Sequence, residues 1–388
     1  MYLTNQEEKA LNGEFGEAIA TSYRVLLSLG EFLGADRLIP ITSAHISGVN
    51  YANIGEEGLN FIEKVSQEGR VSVKTTLNPC GIELSDPFSL NPPADFVERQ
   101  KKIIDSYMKM GVSGTLTCVP YEFDNRPKRG SHIAWAESSA SIYANSVLGA
   151  MTNRESAISS LAAAIAGKTP NAGMHIAENR KPGLIVSVSA DANLETTADY
   201  GLLGLFAGKL TQKPIGFTGL RRSAKHLLKA LGAGIGTSGS SPMFMLLDSK
   251  PKNVEEVPYT QREKQEMKES TTLSSDPDMV LLGCPFYTFA EVKRLASAVS
   301  GRKAKKKIYL HLSRSVYEKA KNEGAIGKLE KAGIKVLRDV CPSLTPIGAW
   351  NGMNKVITDS AKGSFYMRTA LKYNVGVLDL EAIVKSYT

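Results

Sequence analysis

The 388-residue sequence predicts an α/β fold of mainly parallel sheets flanked by helices, arranged in two to three lobes. Three observations carry that expectation. Strand-like apolar runs alternate with stretches of helical periodicity, the pattern of parallel sheets covered by crossover helices. The chain is longer than a single hydrophobic core usually organises. Several strand-like runs also end in polar or proline-marked turns, which is where open α/β sheets place their ligand sites.

The elements follow in order. Apolar spacing over residues 4–34 predicts two helices, the second over 14–32. A strand at 37–42 closes in a polar turn at 43–48. A helix at 55–67, a strand at 71–76 and the loop Asn78-Pro79-Cys80-Gly81 come next. After Pro92-Pro93 an amphipathic helix at 94–110 leads to a strand ending at Cys118. Helices are expected at 139–150 and 153–166, a strand at 184–189, and helices near 194–208 and 220–231. Strands follow at 243–247, 278–282, 307–312 and 335–340, with helices between the last three. The polar, charged stretch 251–275 reads as a linker or surface insertion. It divides an N-terminal α/β region, 1–250, from a C-terminal α/β unit, 276–388.

Composition excludes several classes. Apolar residues make up 42% and charged residues 22%, as in ordinary globular proteins. No apolar run approaches the length of a membrane span, and the polar N-terminus does not resemble a secretion signal, so a cytoplasmic location is expected. The net charge of +8 favours anionic partners. The basic run at 302–307 reads as a solvated edge before a strand, and too few aromatics accompany it to suggest nucleic-acid binding.

Two glycine motifs match only by letters. Gly234-Ile-Gly236-Thr-Ser-Gly239 follows a helix and precedes a strand, the reverse of a dinucleotide fingerprint, and reads as a helix C-cap and turn. Gly167-Lys168-Thr169 lacks the first glycine of a phosphate loop and also follows a helix. His45, His132, His175, His226 and His311 show no close metal-ligand spacing, although His45 lies in a strand-end loop. No Gly-x-Ser-x-Gly elbow is present.

The four cysteines are too few for a disulfide framework. Three of them end strand-like runs just before a proline: Gly114-Thr-Leu-Thr-Cys118-Val-Pro120, Met279-Val-Leu-Leu-Gly-Cys284-Pro285 and Lys335-Val-Leu-Arg-Asp-Val-Cys341-Pro342. Buried hydrophobes, metal ligands and redox groups all remain open readings. Three thiols at sheet ends can hold one inorganic centre and leave it a free position, whereas structural zinc normally closes with four ligands.

Six further motifs sharpen this. Thr42-Ser-Ala-His-Ile-Ser-Gly-Val-Asn-Tyr51, Thr76-Leu-Asn-Pro-Cys-Gly81, Ala134-Trp-Ala-Glu-Ser-Ser-Ala140, Tyr143-Ala-Asn-Ser-Val-Leu-Gly149 with Thr152-Asn-Arg-Glu155, Leu282-Gly-Cys-Pro285 and Thr358-Asp-Ser-Ala-Lys362 together resemble the aconitase X family. The resemblance spans nearly the whole chain. It implies an aconitase-like large subunit that lacks the swivel domain and acts as a hydro-lyase. It implies a 4Fe-4S iron–sulfur cluster held by Cys118, Cys284 and Cys341 with one open iron. It also implies a small swivel-domain subunit as partner, which supplies a serine as proton acceptor, so no catalytic residue is assigned to this chain.

Archaeal family members with separate subunits dehydrate (R)-5-phosphomevalonate to trans-anhydromevalonate 5-phosphate in isoprenoid biosynthesis. Others dehydrate cis-3-hydroxy-L-proline, and a small anionic hydroxy acid is the common substrate class. An iron-sensing, RNA-binding role is the alternative of another class. By the same resemblance the turn at Ser47, Gly48, Val49 and Asn50 and the turn at Thr76, Leu77 and Asn78 cradle substrate. Glu137 and Ser138, at a helix start, bind it or cap the helix. Ser360 and Lys362 contact an anion or lie on a solvated helix. Cys80 either supports the ligands from behind or packs at a tight turn.

Overall fold

A computed structural model describes residues 1–220 and 223–388. The chain divides into two compact units, Met1–Pro79 with Ala94–Lys181, and Cys80–Pro93 with Pro182–Thr388.

In the first unit the helix Asn5–Leu11 starts at a reciprocal cap between Thr4 and Glu7. The helix Glu17–Leu33 buries Ala18, Ala20, Tyr23 and Leu26 on one face and stops at Gly34, which takes the left-handed φ of 70°. The centre of the unit is a three-stranded parallel sheet in the order Lys74–Leu77, Ser43–Ile46, Ala134–Trp135. The helices Tyr51–Ser66, Ala94–Lys109 and Ala157–Ala166 belong to the same unit.

Three expectations change here. Residues 43–46, expected to open a polar turn, form the central strand and are buried. Their polar side chains are satisfied inside the sheet. The Trp135 indole donates to Ser43 Oγ at 3.4 Å, and the His45 ring bonds Thr76 Oγ1 at 2.8 Å and Asn78 Oδ1 at 3.2 Å. Local composition cannot reveal partners so distant in sequence. The strand expected to end at Cys118 does not form. Ser113 makes an isolated bridge with Thr76, and Leu116 then adopts φ 44°, which breaks any ladder. The helix expected at 139–150 is the α-helix Ser138–Tyr143 running into a π-turn, Ala144–Leu148, closed by Gly149.

The second unit contains two parallel sheets. The smaller runs in the order Phe244–Leu246, Ile215–Thr218, Leu184–Val188, Glu256–Tyr259. Its last strand and the helix Gln261–Glu269 occupy the stretch expected to be a linker or surface insertion at 251–275. The physical reason is Lys264. This side chain is buried and donates to the carbonyls of Ala192 at 2.9 Å and Asn193 at 2.7 Å, so a charge-rich helix is docked by its lysine, with Met267 alone packing against the cluster of Leu202 and Leu205.

The larger sheet runs Ile334–Arg338, Lys307–Leu312, Met279–Leu282, Lys355–Thr358, Asn374–Val377. Val280, Leu282, Leu310 and Leu312 pack against Val292, Leu295 and Leu329 on one face, while Met279, Leu281, Leu337 and Val356 belong to the core of the other. Burial on both faces explains why these strands read as continuous apolar runs.

The helix expected at 220–231 is Lys225–Ser238, and positions 221–222 of that expectation lie outside the described residues. Gly234 and Gly236 therefore sit inside a helix, not in a turn. A Cβ on Gly234 would lie 2.3 Å from the Gly201 carbonyl oxygen, so this glycine lets the helix press against Thr197–Gly208. That is close helix packing, with no dinucleotide role. Among the described residues no helix is long and apolar enough to cross a membrane.

Candidate active site

The three strands of the central sheet in the first unit are parallel and in register, with Ile46 opposite Leu77 and His45 opposite Trp135. Their carboxyl ends therefore open on one edge, and the turns at 47–50, 78–79 and 136–138 leave from it. Gly48 has φ 74°, and a Cβ there would lie 2.7 Å from the Ala157 Cβ, so only glycine fits. The Val49 side chain is buried, and its carbonyl accepts from Gln100 Nε2 at 2.7 Å. Asn50 caps the helix Tyr51–Ser66, accepting from the Ala52 amide at 3.0 Å. Asn78 is half-buried, with its amide donating to the Ile46 carbonyl at 2.9 Å. Burial pushes the His45 pKa down to about 4, so a neutral imidazole fixes the Asn78 side chain.

Leu77 contributes position rather than contact. Its side chain is fully buried, its amide donates to Thr115 Oγ1 at 3.3 Å, and its carbonyl accepts from the Thr117 amide at 2.9 Å. That last bond sets Cys118, half-buried in a bend, beside the carboxyl end of Lys74–Leu77 even though no strand delivers it. Glu137, not Ser138, is the helix cap. Its buried carboxylate accepts from the Ala140 amide at 2.5 Å and from Ser139 Oγ at 2.6 Å. Ser138 is the first helical residue and is half-buried. Tyr121 had no sequence signal beyond its closeness to Cys118. It stacks on Tyr143 with centroids 4.3 Å apart, and its buried hydroxyl has no hydrogen-bond partner among the described residues.

The second unit brings together Cys284, Cys341, Ser360 and Lys362. Cys284 follows Met279–Leu282 through Gly283, whose φ of 99° and whose Cβ position, 2.4 Å from the His311 carbonyl oxygen, both demand glycine. Cys341 follows Ile334–Arg338. Its amide donates to the Cys80 carbonyl at 2.9 Å, and the Cys80 amide donates to the Asp339 carbonyl at 2.8 Å. Ser360 caps the helix Ala361–Thr369, accepting from the Gly363 amide at 2.9 Å while donating to the Cys284 carbonyl. Ser360 and Lys362 are 8% and 7% exposed, which removes the solvated-helix reading.

The sequence missed four neighbours: Lys229, Tyr287, Glu291 and Asp359. With Cys284 and Ser360 they line a cavity of about 30 Å³, enough for water. Asp359 stood inside the quoted Thr358–Lys362 motif, and the other three carried no pattern.

The thiol environment fits an iron–sulfur centre. Ser343 Oγ donates to Cys284 Sγ at 2.9 Å. Burial pushes the Cys341 thiol up to about 12 and the Cys284 charge adds to this, while amide hydrogen bonds from Ser343 and Leu344 and the Lys362 charge act the other way. Those donors favour thiolates once an electropositive group offsets the burial. Cys80 does not fit. It is fully buried, donates to the Ile82 carbonyl at 3.1 Å, and burial raises its pKa. Its backbone instead bridges the Asp339 carbonyl and the Cys341 amide. Among the described residues no three His, Cys, Asp or Glu side chains converge as ligands of a single metal ion. Thiolates on a cluster bind different irons and need not converge in that way.

Family models for the first, second and third domains of aconitase X match residues 1–178, 182–276 and 277–388. The chain belongs to the aconitase X family, an aconitase-like dehydratase family whose membership implies an iron–sulfur cluster. It is 40% identical to the phosphomevalonate dehydratase large subunit of Thermococcus kodakarensis over 99% of each chain. It is 38% identical to that of Methanocaldococcus jannaschii over 99% of this chain and 100% of the relative. Identity to the cis-3-hydroxy-L-proline dehydratase of Pseudomonas aeruginosa is 33%, covering 93% of this chain but 65% of the relative. The crystal structure of Thermococcus kodakaraensis aconitase X in its holo-form matches with TM-score 0.93 and 39% identity, over 100% of both chains.

Proposed function

We propose that this chain is the large subunit of a phosphomevalonate dehydratase, a hydro-lyase that converts (R)-5-phosphomevalonate to trans-anhydromevalonate 5-phosphate in isoprenoid biosynthesis. The observation that carries the reading is coverage. Archaeal large subunits match along 99–100% of their own length in the cases above, whereas the match spans 60% and 65% of the two hydroxyproline dehydratases. The name of those relatives also implies a smaller partner. The proposed partner is a swivel-domain subunit that brings the proton acceptor.

Cys118, Cys284 and Cys341 are the proposed ligands of a 4Fe-4S cluster. When bound, the cluster supplies an open Lewis-acidic iron for the leaving hydroxyl. The remaining work belongs to this chain. Lys362, held in a buried position beside Cys341, offers an ammonium to an anionic group of the substrate. Ser360 sets the start of the helix that carries Lys362. Gly48, Val49 and Asn50 present a turn whose shape is fixed by Gln100 and by the helix cap. Asn78 is aimed by neutral His45. Ser138 offers a hydroxyl and a helix-start amide beside the Glu137 cap. Leu77 holds the edge in register, as its buried side chain requires.

The test is anaerobic reconstitution of this chain with its small subunit and iron–sulfur cluster, followed by parallel assays of both substrates. Turnover of (R)-5-phosphomevalonate is the expected result. Turnover of cis-3-hydroxy-L-proline alone would reject the reading in favour of the other branch of the family.

A further inference from the structure

Several polar groups of the turn that carries Cys284 are held by side chains from other elements or by the cap of the helix that follows. Ser360 donates to the Cys284 carbonyl, and Lys229 Nζ donates to the Phe286 carbonyl at 3.0 Å. Tyr287 donates its hydroxyl to Asp359, and Thr288 gives its amide and hydroxyl to Glu291 at 2.8 and 2.7 Å. Lys229 joins the set by a second bond, to Glu291 Oε2 at 2.6 Å. Lys229 and Glu291 are each only 5% exposed.

A buried ion pair is weak evidence of stabilisation, because apolar residues of similar volume often replace it without loss. What an apolar side chain at 229 cannot do is satisfy the Phe286 carbonyl. That carbonyl lies two residues beyond Cys284, in a turn whose entry at Gly283 is already restricted to one left-handed conformation. Outer partners that orient ligands commonly change metal affinity about tenfold to a hundredfold when they are removed.

We propose that Lys229 is a positioning residue for the cluster: through the Phe286 carbonyl and Glu291 it holds the Cys284 turn in the shape that ligates iron, and so sets how firmly iron is retained. The proposal rests on Cys284 being a ligand.

The experiment follows iron release from the anaerobically reconstituted protein to a chelator, with melting temperature measured on the same samples. Lys229→Met should load iron yet release it about tenfold faster than the parent. Lys229→Met also strands a buried carboxylate and can unfold the chain, so Lys229→Met/Glu291→Met carries the test as well. The double variant should regain the parent melting temperature while keeping the fast release. Parent-like release from the double variant would overturn the proposal, because Lys229 would then matter only as the counter-ion of Glu291. Cys284→Ser is the separate control. If it retained iron as the parent does, the ligand reading would fall whatever the lysine variants showed.

Discussion

Acidification from pH 7 to pH 5 loads the interior with charge that the fold does not accommodate. Burial pushes His45 to about 4, His175 to about 3 and His311 to about 4, from an ordinary 6.5. Folded values below the unfolded value mean that the stability from these neutral rings is whole above pH 6.5 and drains as the pH falls toward 4. Each ring then costs about 2 kcal/mol between pH 7 and pH 5. Three buried carboxyls work in the opposite sense, Glu155 being raised by burial as well. Burial raises Asp339 and Asp359 to about 6 from 3.8, so their stabilising protonation is recovered as the pH falls through 6. Each aspartate returns about 1.3 kcal/mol over the same interval. The net loss over the three rings and two aspartates is about 3 kcal/mol, a large share of a stability of roughly 5–15 kcal/mol. Melting temperature and denaturant midpoint should both fall from pH 7 to pH 5 at constant ionic strength. The His311→Asn variant isolates one ring, because its amide can still donate to the Leu282 carbonyl that His311 Nδ1 meets at 2.9 Å. The readout is the difference between the two pH values, which cancels the fixed cost of the substitution. A parent whose stability is unchanged at pH 5, or a His311→Asn variant with undiminished pH dependence, would refute the reasoning.

Cysteine substitutions should separate the thiols by role: Cys284→Ser and Cys341→Ser lose iron and visible absorbance on reconstitution, while Cys80→Ala keeps both. Gly234→Val should cost about 3 kcal/mol or prevent folding, read by denaturant midpoint, because even the first added carbon meets the backbone of Gly201. Lys362→Met should raise KM for an anionic substrate at least about tenfold with little change in melting temperature, since a charge-assisted hydrogen bond to substrate would be lost. Ser360→Ala removes a helix cap worth about 1 kcal/mol, and the accompanying loss of its bond to the Cys284 carbonyl should show as faster iron release to a chelator.

Legibility in the sequence followed how local the controlling interaction was. The strands at 278–282 and 307–312 were readable because burial on both faces makes them nearly continuous apolar runs, whereas the edge strand at 335–340 showed only by its apolar residues between charged ones. Their register neighbours at Lys355–Thr358 and Asn374–Val377 are too short and too closely flanked by charge to stand out in the sequence. The strand Ser43–Ile46 was hidden because its polar side chains find partners on strands thirty and ninety residues away. The helix Gln261–Glu269 was hidden for a related reason. A helix of nine residues with only Lys264 buried has no apolar stripe to detect. The glycines at 234 and 236 misled in the opposite direction, since a glycine needed for helix contact and one needed for a turn look alike in sequence.

The same distinction governs the candidate site. Cysteines before prolines and the Glu-Ser-Ser and Asp-Ser-Ala-Lys runs are contiguous, so a family resemblance can carry them onto numbered positions. The groups that hold those residues in place are scattered. Gln100 fixes Val49, His45 fixes Asn78, Thr117 fixes Cys118, and Lys229 with Asp359 fixes the turn after Cys284. Each is an ordinary polar residue on a helix, strand or loop, and only its partner gives it meaning. Cys80 makes the converse point. Its sequence context leaves support of the ligands and packing at a tight turn both open, and the structure shows a fully buried thiol bonded to the Ile82 carbonyl, with its backbone bridging to Val340 and Cys341. Residue type nominates a ligand, whereas burial and hydrogen bonding decide whether its donor atom is available. Substitutions at the holding residues should therefore alter iron retention and KM before they abolish activity, which distinguishes them from the ligands themselves.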